Sequence, residues 1–257
     1  MLKQDLFEEL YNLYGPVTRA RNCFLYTKKG IRITDMYQEG GRAILGWEGG
    51  NAFTYLKNIL SRGQVGSFIC EDNSRLTKAV SQLLNSERKL YYFTNKIDAL
   101  KTGIKFSPYK TGVYTPWNQT QSDWSLVDSV IIEPPLPWTD TVFILAINKE
   151  PSFEIHKSVS LPFALQAAIT RSIYNLIEAL QVRSEKDWFI YDPVLTKYWT
   201  RKGPYLEPKV PFEKYNRFVL HCLSLGIVIN PEYNASIVPF GADKGVFTKL
   251  KNSPFEY

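Results

Sequence analysis

Apolar residues along this chain follow two spacings, one typical of amphipathic helices and one typical of buried strands. The helical spacing recurs in six segments, most of them bounded by a start or stop signal such as Asn51, Gly63 or Pro211. The six predicted helices cover Leu2–Tyr14, Asn51–Gly63, a segment from Asn73 or Ser74 to Leu84, Ile97–Ile104, Ser160–Val182 and Pro211–Gly226. The fifth is the longest, and its apolar stripe predicts a core helix.

Between residues 66 and 160, strand-length apolar runs alternate with these helices. Ser67–Cys70, Leu90–Phe93 and Gly112–Thr115 are short, whereas Val127–Ile132 and Thr141–Ile147 are continuously apolar. Continuous runs are typical of strands covered on both faces. The pattern predicts an α/β domain of three layers, in which a parallel or mixed central sheet carries helices.

The two ends of the chain have an α+β pattern instead. Phe24–Tyr26 and Ile31–Met36 predict a hairpin, and Arg42–Trp47 predicts a third strand. Arg201–Pro211 is rich in proline and is interpreted as a linker or an active-site flap. Short strands are predicted at Ile227–Ile229 and Ser236–Pro239, followed by a C-terminal helix with Phe247 and Leu250.

We expect the two ends to form one small α+β lobe beside the central domain. The predicted boundaries assign residues 1–63 to the N-terminal part of that lobe, 64–200 to the central domain and 201–257 to the C-terminal part.

The segment after Leu90–Phe93 is the strongest candidate for a binding site. Asn95 can cap the helix that follows, so a strand, a tight turn and a helix N-terminus come together. Free N–H groups and the helix dipole at such a turn favour an anion.

Composition narrows the classes of partner. The net charge is +6, but the basic residues are scattered and form no cluster, which argues against nucleic-acid binding and leaves room for small anions. Three widely spaced cysteines, Cys23, Cys70 and Cys222, suit a reducing cytoplasm and form no zinc pattern. No apolar stretch reaches the ~20 residues of a membrane helix, so we expect no membrane partner. Only two histidines, His156 and His221, are present, too few for a His-based metal centre.

Five short motifs lie near the two ends of the chain. In the N-terminal part they are Pro16-Val-Thr-Arg-Ala20, Lys29-Gly-Ile-Arg-Ile-Thr-Asp35 and Ala43-Ile-Leu-Gly46. In the C-terminal part they are Gly226-Ile-Val-Ile-Asn-Pro231 and Ala235-Ser-Ile-Val-Pro-Phe-Gly-Ala242. These motifs resemble those of class III, fold-type I pyridoxal-phosphate aminotransferases, most closely glutamate semialdehyde aminomutase, with Trp47 where the family usually has histidine. The resemblance implies a shortened aminotransferase fold that works as a homodimer.

The middle of the chain matches the same family more weakly. Phe93-Thr-Asn95 with Ala99 resembles the signature Phe-Thr-Asn-Ser-Gly-Thr-Glu-Ala, and Val130-Ile-Ile-Glu-Pro134 resembles its Ile-Glu-Pro strand end. The resemblance therefore implies that Asn95, Lys96, Asp98 and Glu133 stand at degenerate cofactor-binding positions.

The departures from the family matter most at the phosphate turn. Lys96-Ile-Asp98 stands in place of the Ser-Gly-Thr turn, and the interval between Asn95 and Ala99 is one residue shorter than in the signature. The replacement adds the bulk of Ile97 and the negative charge of Asp98. Each charge-assisted hydrogen bond lost there would cost about 1.5–3 kcal/mol, although Lys96 can return part of it as a point charge.

Two further positions carry the catalytic part of the resemblance. Asn148 falls nearest to the aspartate that keeps the pyridine nitrogen protonated, and a neutral amide cannot hold that proton by charge. Lys157, in Ile155-His-Lys-Ser-Val159, is the candidate Schiff-base lysine, without the glycines expected after it.

Our leading hypothesis is a degenerate, aminotransferase-like homodimer without transaminase activity that binds a small molecule or a partner. On this hypothesis no cofactor is needed. A minimal enzyme that uses pyridoxal phosphate and Lys157, and an accessory subunit that dimerises with a complete partner, stay open as alternatives.

Overall fold

A computed structural model describes residues 1–66, 68, 74–118, 123–138, 141–155 and 158–257. The predicted strand Ser67–Cys70 and the alternative cap Asn73 lie outside the described residues. The helices of the described residues are α1 (Lys3–Tyr14), α2 (Ala52–Ser61), α3 (Ser74–Leu83), α4 (Lys96–Phe106), α5 (Phe163–Val182), α6 (Lys186–Phe189), α7 (Asp192–Leu195), α8 (Phe212–Ser224) and α9 (Thr248–Asn252). The strands are β1 (Val17–Arg21), β2 (Phe24–Thr27), β3 (Arg32–Asp35), β4 (Lys89–Phe93), β5 (Thr111–Val113), β6 (Ser129–Ile132), β7 (Phe143–Ile147), β8 (Trp199–Lys202), β9 (Tyr205–Pro208), β10 (Ile227–Val228) and β11 (Ser236–Ile237).

The chain divides into two compact units. One unit combines Met1–Glu48 with Val182–Tyr257, and the other is Gly49–Gln181. Both ends of the chain therefore share a unit, as expected for the α+β lobe. The unit boundaries lie earlier in the chain than residues 63 and 200, and the domain division at those two positions stays a prediction.

The unit Gly49–Gln181 is built on a four-stranded mixed sheet in the order β4-β7-β6-β5. β7 is antiparallel to both β4 and β6, whereas β5 and β6 are parallel. Every residue of β6 and β7 is buried, because helices cover both faces of these strands.

Two apolar clusters fill the space on either side of this sheet. Helices α2, α3 and α5 contribute Ala52, Leu76, Val80 and Ile169 to the cluster on one face. Helix α4 contributes Ala99 to the cluster on the other face. The predicted three-layer α/β arrangement is confirmed.

Helix α4 lies close to the sheet because its residue 103 is glycine. A Cβ at Gly103 would lie 2.6 Å from Ser129 Oγ and 3.1 Å from Thr111 Cγ2. We expect Gly103→Ala to lower the free energy of unfolding by about 1–3 kcal/mol through overpacking, although alanine is the better helix former. Urea unfolding of the variant measures the loss.

Ser129→Ala provides the matched control for this prediction. Ser129 Oγ is buried without a hydrogen-bond partner among the described residues, so its removal alone is expected to change stability little. In Gly103→Ala the same replacement opens space and should recover part of the loss. Equal stability of the single and the double variant would contradict this account of the contact.

The unit formed by both ends contains two small sheets. One has the order β1-β2-β3-β10, in which β3 and β10 are parallel, and the other has the order β11-β9-β8. The hairpin β2–β3 was predicted from its apolar runs and the turn at Lys28–Gly30. Strand β1 was missed, because four of its five residues are exposed and carry no apolar alternation.

Two predictions for this unit are wrong. Arg42–Trp47 is a series of turns and not a strand: Ala43 N–H donates to Gln38 O at 2.9 Å, and Gly46 has a φ of 101°. Local hydrogen bonds therefore occupy backbone N–H and C=O groups that a strand would use to pair with a neighbouring strand. The predicted linker or flap Arg201–Pro211 instead contributes to the hairpin β8–β9, in which Arg201 pairs with Leu206.

The sequence also led to expectations about the cysteines and about membrane-spanning helices. Cys23 and Cys222 are buried free thiols, and Cys70 lies outside the described residues. None of the helices formed by the described residues is both long enough and apolar enough to span a bilayer.

Candidate functional site

The candidate site lies at the start of α4, where the sequence predicted an anion-binding turn. Asn95 is extended, with φ −134° and ψ 129°, and its side-chain oxygen accepts a hydrogen bond from Ile97 N–H at 2.7 Å. The predicted cap is confirmed. It also satisfies one of the N–H groups that an anion would otherwise use.

Lys96 and Glu133 meet at this turn. Strands β4 and β6 end at the same edge of the sheet, since Phe93 pairs with Phe143 and Ile132 with Ile144. Lys96 follows the first strand and Glu133 the second, and Lys96 Nζ lies 2.6 Å from Glu133 Oε1. The Lys96 side chain is 47% exposed, so the ion pair adds little stability. The pair nevertheless places a carboxylate against the ammonium group of the turn.

Asp98 and Ile97 complete the turn. Asp98 is a partly buried acid in the first turn of α4, where its charge suits the positive end of the helix dipole. The Ile97 side chain is 59% exposed. A negative charge is therefore already present at the helix N-terminus, beside an apolar side chain.

Asn148 lies at the opposite edge of the sheet. It follows Ile147, which pairs with Lys89 and Ser129 at the starts of β4 and β6, because β7 runs antiparallel to both. Its amide donates to Asp128 Oδ1 at 2.9 Å. Burial acts to raise the pKa of Asp128, but hydrogen bonds from Asn148 and Ser107 and the charges of Lys110 and Lys149 together outweigh it and hold the pKa below its usual range. The structure does not bring Asn148 together with Asn95, Lys96, Asp98 and Glu133.

Lys157, the predicted Schiff-base lysine, lies outside the described residues, as does His156. Among the described residues no group of three or more His, Cys, Asp or Glu side chains is arranged to hold a metal ion.

The residues at the turn do not fit the phosphate of pyridoxal phosphate. A dianion at a helix N-terminus needs free N–H groups and small residues that allow close approach. Here Asn95 occupies the Ile97 N–H, Glu133 binds Lys96, and Asp98 adds like charge. The Lys96–Glu133 pair was not predicted. The signal for it in the sequence is that each residue follows a predicted strand, since strands that end at the same edge of a sheet bring such residues together.

A second polar cluster lies in the unit formed by both ends, around Asp35. This carboxylate is 1% exposed and accepts hydrogen bonds from Tyr37 N–H and Gln38 N–H at 2.9 Å. The Trp47 indole donates to its other oxygen at 2.8 Å. Trp47, which stands where the resembled family has histidine, thus still offers a ring N–H. Burial raises the pKa of Asp35 to about 6, although these donors act to lower it.

Solved structures similar to this chain include several aminotransferases. An omega-transaminase from Sphaerobacter thermophilus aligns over 98% of both chains with a TM-score of 0.65 and 10% identity. An acetylornithine aminotransferase from Elizabethkingia anophelis aligns over 98% of both chains at 0.63 and 12% identity. An ornithine aminotransferase from Plasmodium yoelii aligns over 98% of this chain and 97% of its own at 0.61 and 12% identity. The chain has the fold-type I aminotransferase fold.

Sequence comparison gives less detail than structure comparison. An uncharacterised protein from Treponema pallidum (strain Nichols) is 22% identical over 280 residues, which cover 90% of this chain and 91% of that protein. No family model matches the chain. The aminotransferase fold that the resemblance implied is therefore confirmed by structure comparison. The sequence of this chain differs widely from those of the solved neighbours, at 10–12% identity.

Proposed function

We propose that this chain is an aminotransferase-fold protein that lacks transaminase activity and acts as a small-molecule-binding or interaction protein. The observation that carries the proposal is the Lys96–Glu133 ion pair of 2.6 Å at the turn where a cofactor phosphate would need a cation. Asn95 and Asp98 support the proposal, since the Asn95 side chain occupies a backbone N–H that a phosphate would bind and Asp98 places a negative charge at the helix N-terminus.

The proposal includes the finer features that the resemblance and the composition of the sequence implied. The chain would be a shortened and degenerate relative of glutamate semialdehyde aminomutase. It would function as a homodimer in the cytoplasm, without nucleic-acid or membrane partners. Its degeneracy would lie in the turn Asn95–Asp98 and in Asn148, whose amide binds the Asp128 carboxylate and is not held ready for a cofactor ring.

The test is direct addition of pyridoxal phosphate to the purified protein. We expect no new visible absorbance band, no pyridoxyl group fixed by borohydride at a single lysine, and no amino-group transfer from amino acids. Mass spectrometry of the reduced protein locates any modified lysine. Lys157→Ala is the diagnostic variant, and Lys149→Ala, an exposed neighbour, is its control.

Two outcomes would overturn the proposal in different directions. A band that is present in the wild type and in Lys149→Ala but absent in Lys157→Ala would identify the minimal pyridoxal-phosphate enzyme. A stable monomer on gel filtration that becomes a dimer only with a complete aminotransferase would identify the accessory subunit.

A further inference from the structure

Helices α2, α3 and α5 enclose a groove on one face of the large sheet. It has a volume of about 480 Å³, within the roughly 300–1,000 Å³ typical of small-molecule sites. Helices α2 and α5 each present one face to the groove. The lining positions follow helical spacing, with Tyr55, Ile59 and Arg62 on α2 and its C-terminal end and Phe163 and Ala167 on α5. The groove is thus formed by regular elements, which can hold side chains at fixed positions.

Every charged side chain that lines this groove is basic among the described residues. Arg62, Arg75, Lys78 and Arg171 line it, and no carboxylate does among the described residues. Arg171 has two partners that do not line the groove: its Nε donates to Asn51 Oδ1 at 2.6 Å, and its Nη2 lies 3.4 Å from Glu178 Oε1. Basic side chains gathered in one concavity raise the positive potential there and with it the local concentration of anions, and Glu178 offsets part of the charge of Arg171.

The uncharged part of the lining is mixed: Asn58, Gln64, Gln166 and Thr170 are polar, and the other side chains are apolar or aromatic. Tyr55, Phe163 and Tyr174 supply aromatic rings, and Ala167 lies between the last two on α5 at helical spacing. A side chain as small as alanine leaves space there that a larger residue would fill. The lining therefore combines an aromatic surface for a planar body with cations for an acidic group.

We propose that this groove binds a small organic anion with a flat apolar body and one or more carboxylate or phosphate groups. The proposal goes beyond the proposed function, because the groove shares no lining residue with the turn Asn95–Asp98 or with Glu133. Either can fail without the other.

A pair of fluorescent probes separates the two parts of the recognition. Anilinonaphthalene sulfonate has an aromatic body and an anionic group, and N-phenylnaphthylamine has a similar body without the charge. At low salt we expect the double variant Arg62→Gln/Lys78→Gln to bind the sulfonate probe about tenfold or more weakly, because it loses one or two charge-assisted contacts. The affinity for the neutral probe should change by less than about twofold.

Lys57→Gln/Lys101→Gln is the matched control, since it removes two exposed charges of the same unit that do not line the groove. It should leave the affinity for both probes within about twofold. Equal weakening of sulfonate binding by both double variants would overturn the proposal, because it would show a general charge effect.

A steric variant tests the position of the site. Ala167→Phe fills the space between Phe163 and Tyr174 and should abolish binding of both probes. A circular dichroism spectrum and a melting temperature like those of the wild type confirm that the variant is folded. Unchanged binding of both probes by folded Ala167→Phe would overturn the proposal, whatever pyridoxal phosphate does at the other site.

Discussion

Trp199→Ala is expected to lower the free energy of unfolding by about 3–5 kcal/mol, the usual cost of truncating a large buried aromatic residue. Trp199 begins β8 and is completely buried. Its ring lies 5.0 Å from the ring of Phe218 and 5.8 Å from that of Tyr198, measured between centroids. Urea unfolding followed by circular dichroism measures the loss.

Trp199→Phe distinguishes lost volume from lost hydrogen bonding. The Trp199 indole nitrogen is buried without a hydrogen-bond partner among the described residues, so phenylalanine removes an unsatisfied donor while it keeps most of the ring. We expect this variant to lose no more than about 1–2 kcal/mol. Thr200→Ala, at the exposed next position, is the control and should be close to neutral.

These variants also test whether the start of the hairpin β8–β9 belongs to the core. Truncation is costly if the ring at the first residue of β8 is buried and cheap if that ring is exposed. Nearly wild-type stability of Trp199→Ala would therefore contradict the hairpin β8–β9 as part of the core.

The wild-type protein is expected to lose up to about 3 kcal/mol of stability, through Asp35 alone, as the pH rises from 4 to 7. The pKa of Asp35 is raised in the folded state from 3.8 to about 6, first because of burial. A raised pKa means that the folded state binds the proton more tightly than the unfolded state. The resulting stabilisation is complete below pH 3.8 and is lost as the pH rises through about 6. Each pH unit that separates the folded-state pKa from the unfolded-state pKa corresponds to about 1.36 kcal/mol.

Asp35→Asn isolates this contribution from that of other acids. The difference in unfolding free energy between the wild type and the variant should change by up to about 3 kcal/mol between pH 4 and pH 7. Trp47→Phe removes a donor that favours the charged form, so it should raise the pKa of Asp35 further and enlarge the total loss of stability between pH 4 and pH 7. Parallel stability curves for the wild type and Asp35→Asn would contradict the raised pKa.

Local signals in the sequence predicted much of the fold. Asn95 could be identified as a cap because an apolar helical stripe follows it, and the structure confirms the bond to Ile97 N–H. Gly63 and Pro211 bounded helices for similar reasons, since glycine ends a helix and proline fits its start. Such signals act within a few residues and survive when the rest of the sequence has diverged.

The candidate site was less accessible to sequence reasoning. A continuous apolar run such as Phe143–Ile147 predicts burial on both faces but does not specify the direction of the strand. The antiparallel pairing of β7 with β4 and β6 depends on long-range contacts, and it places Asn148 at the far edge. The Lys96–Glu133 pair likewise joins residues far apart in the sequence through two strand ends.

The parallel pairing of β3 with β10 has a consequence for synthesis of the chain. Thr34 can pair with Ile227 only after the 192 residues between them have been synthesised and residue 227 has left the ribosome. At typical rates of translation this leaves one edge of the nascent N-terminal sheet unprotected for roughly 10–40 s. We expect chaperones that shield exposed strand edges to bind the nascent N-terminal segment during that interval.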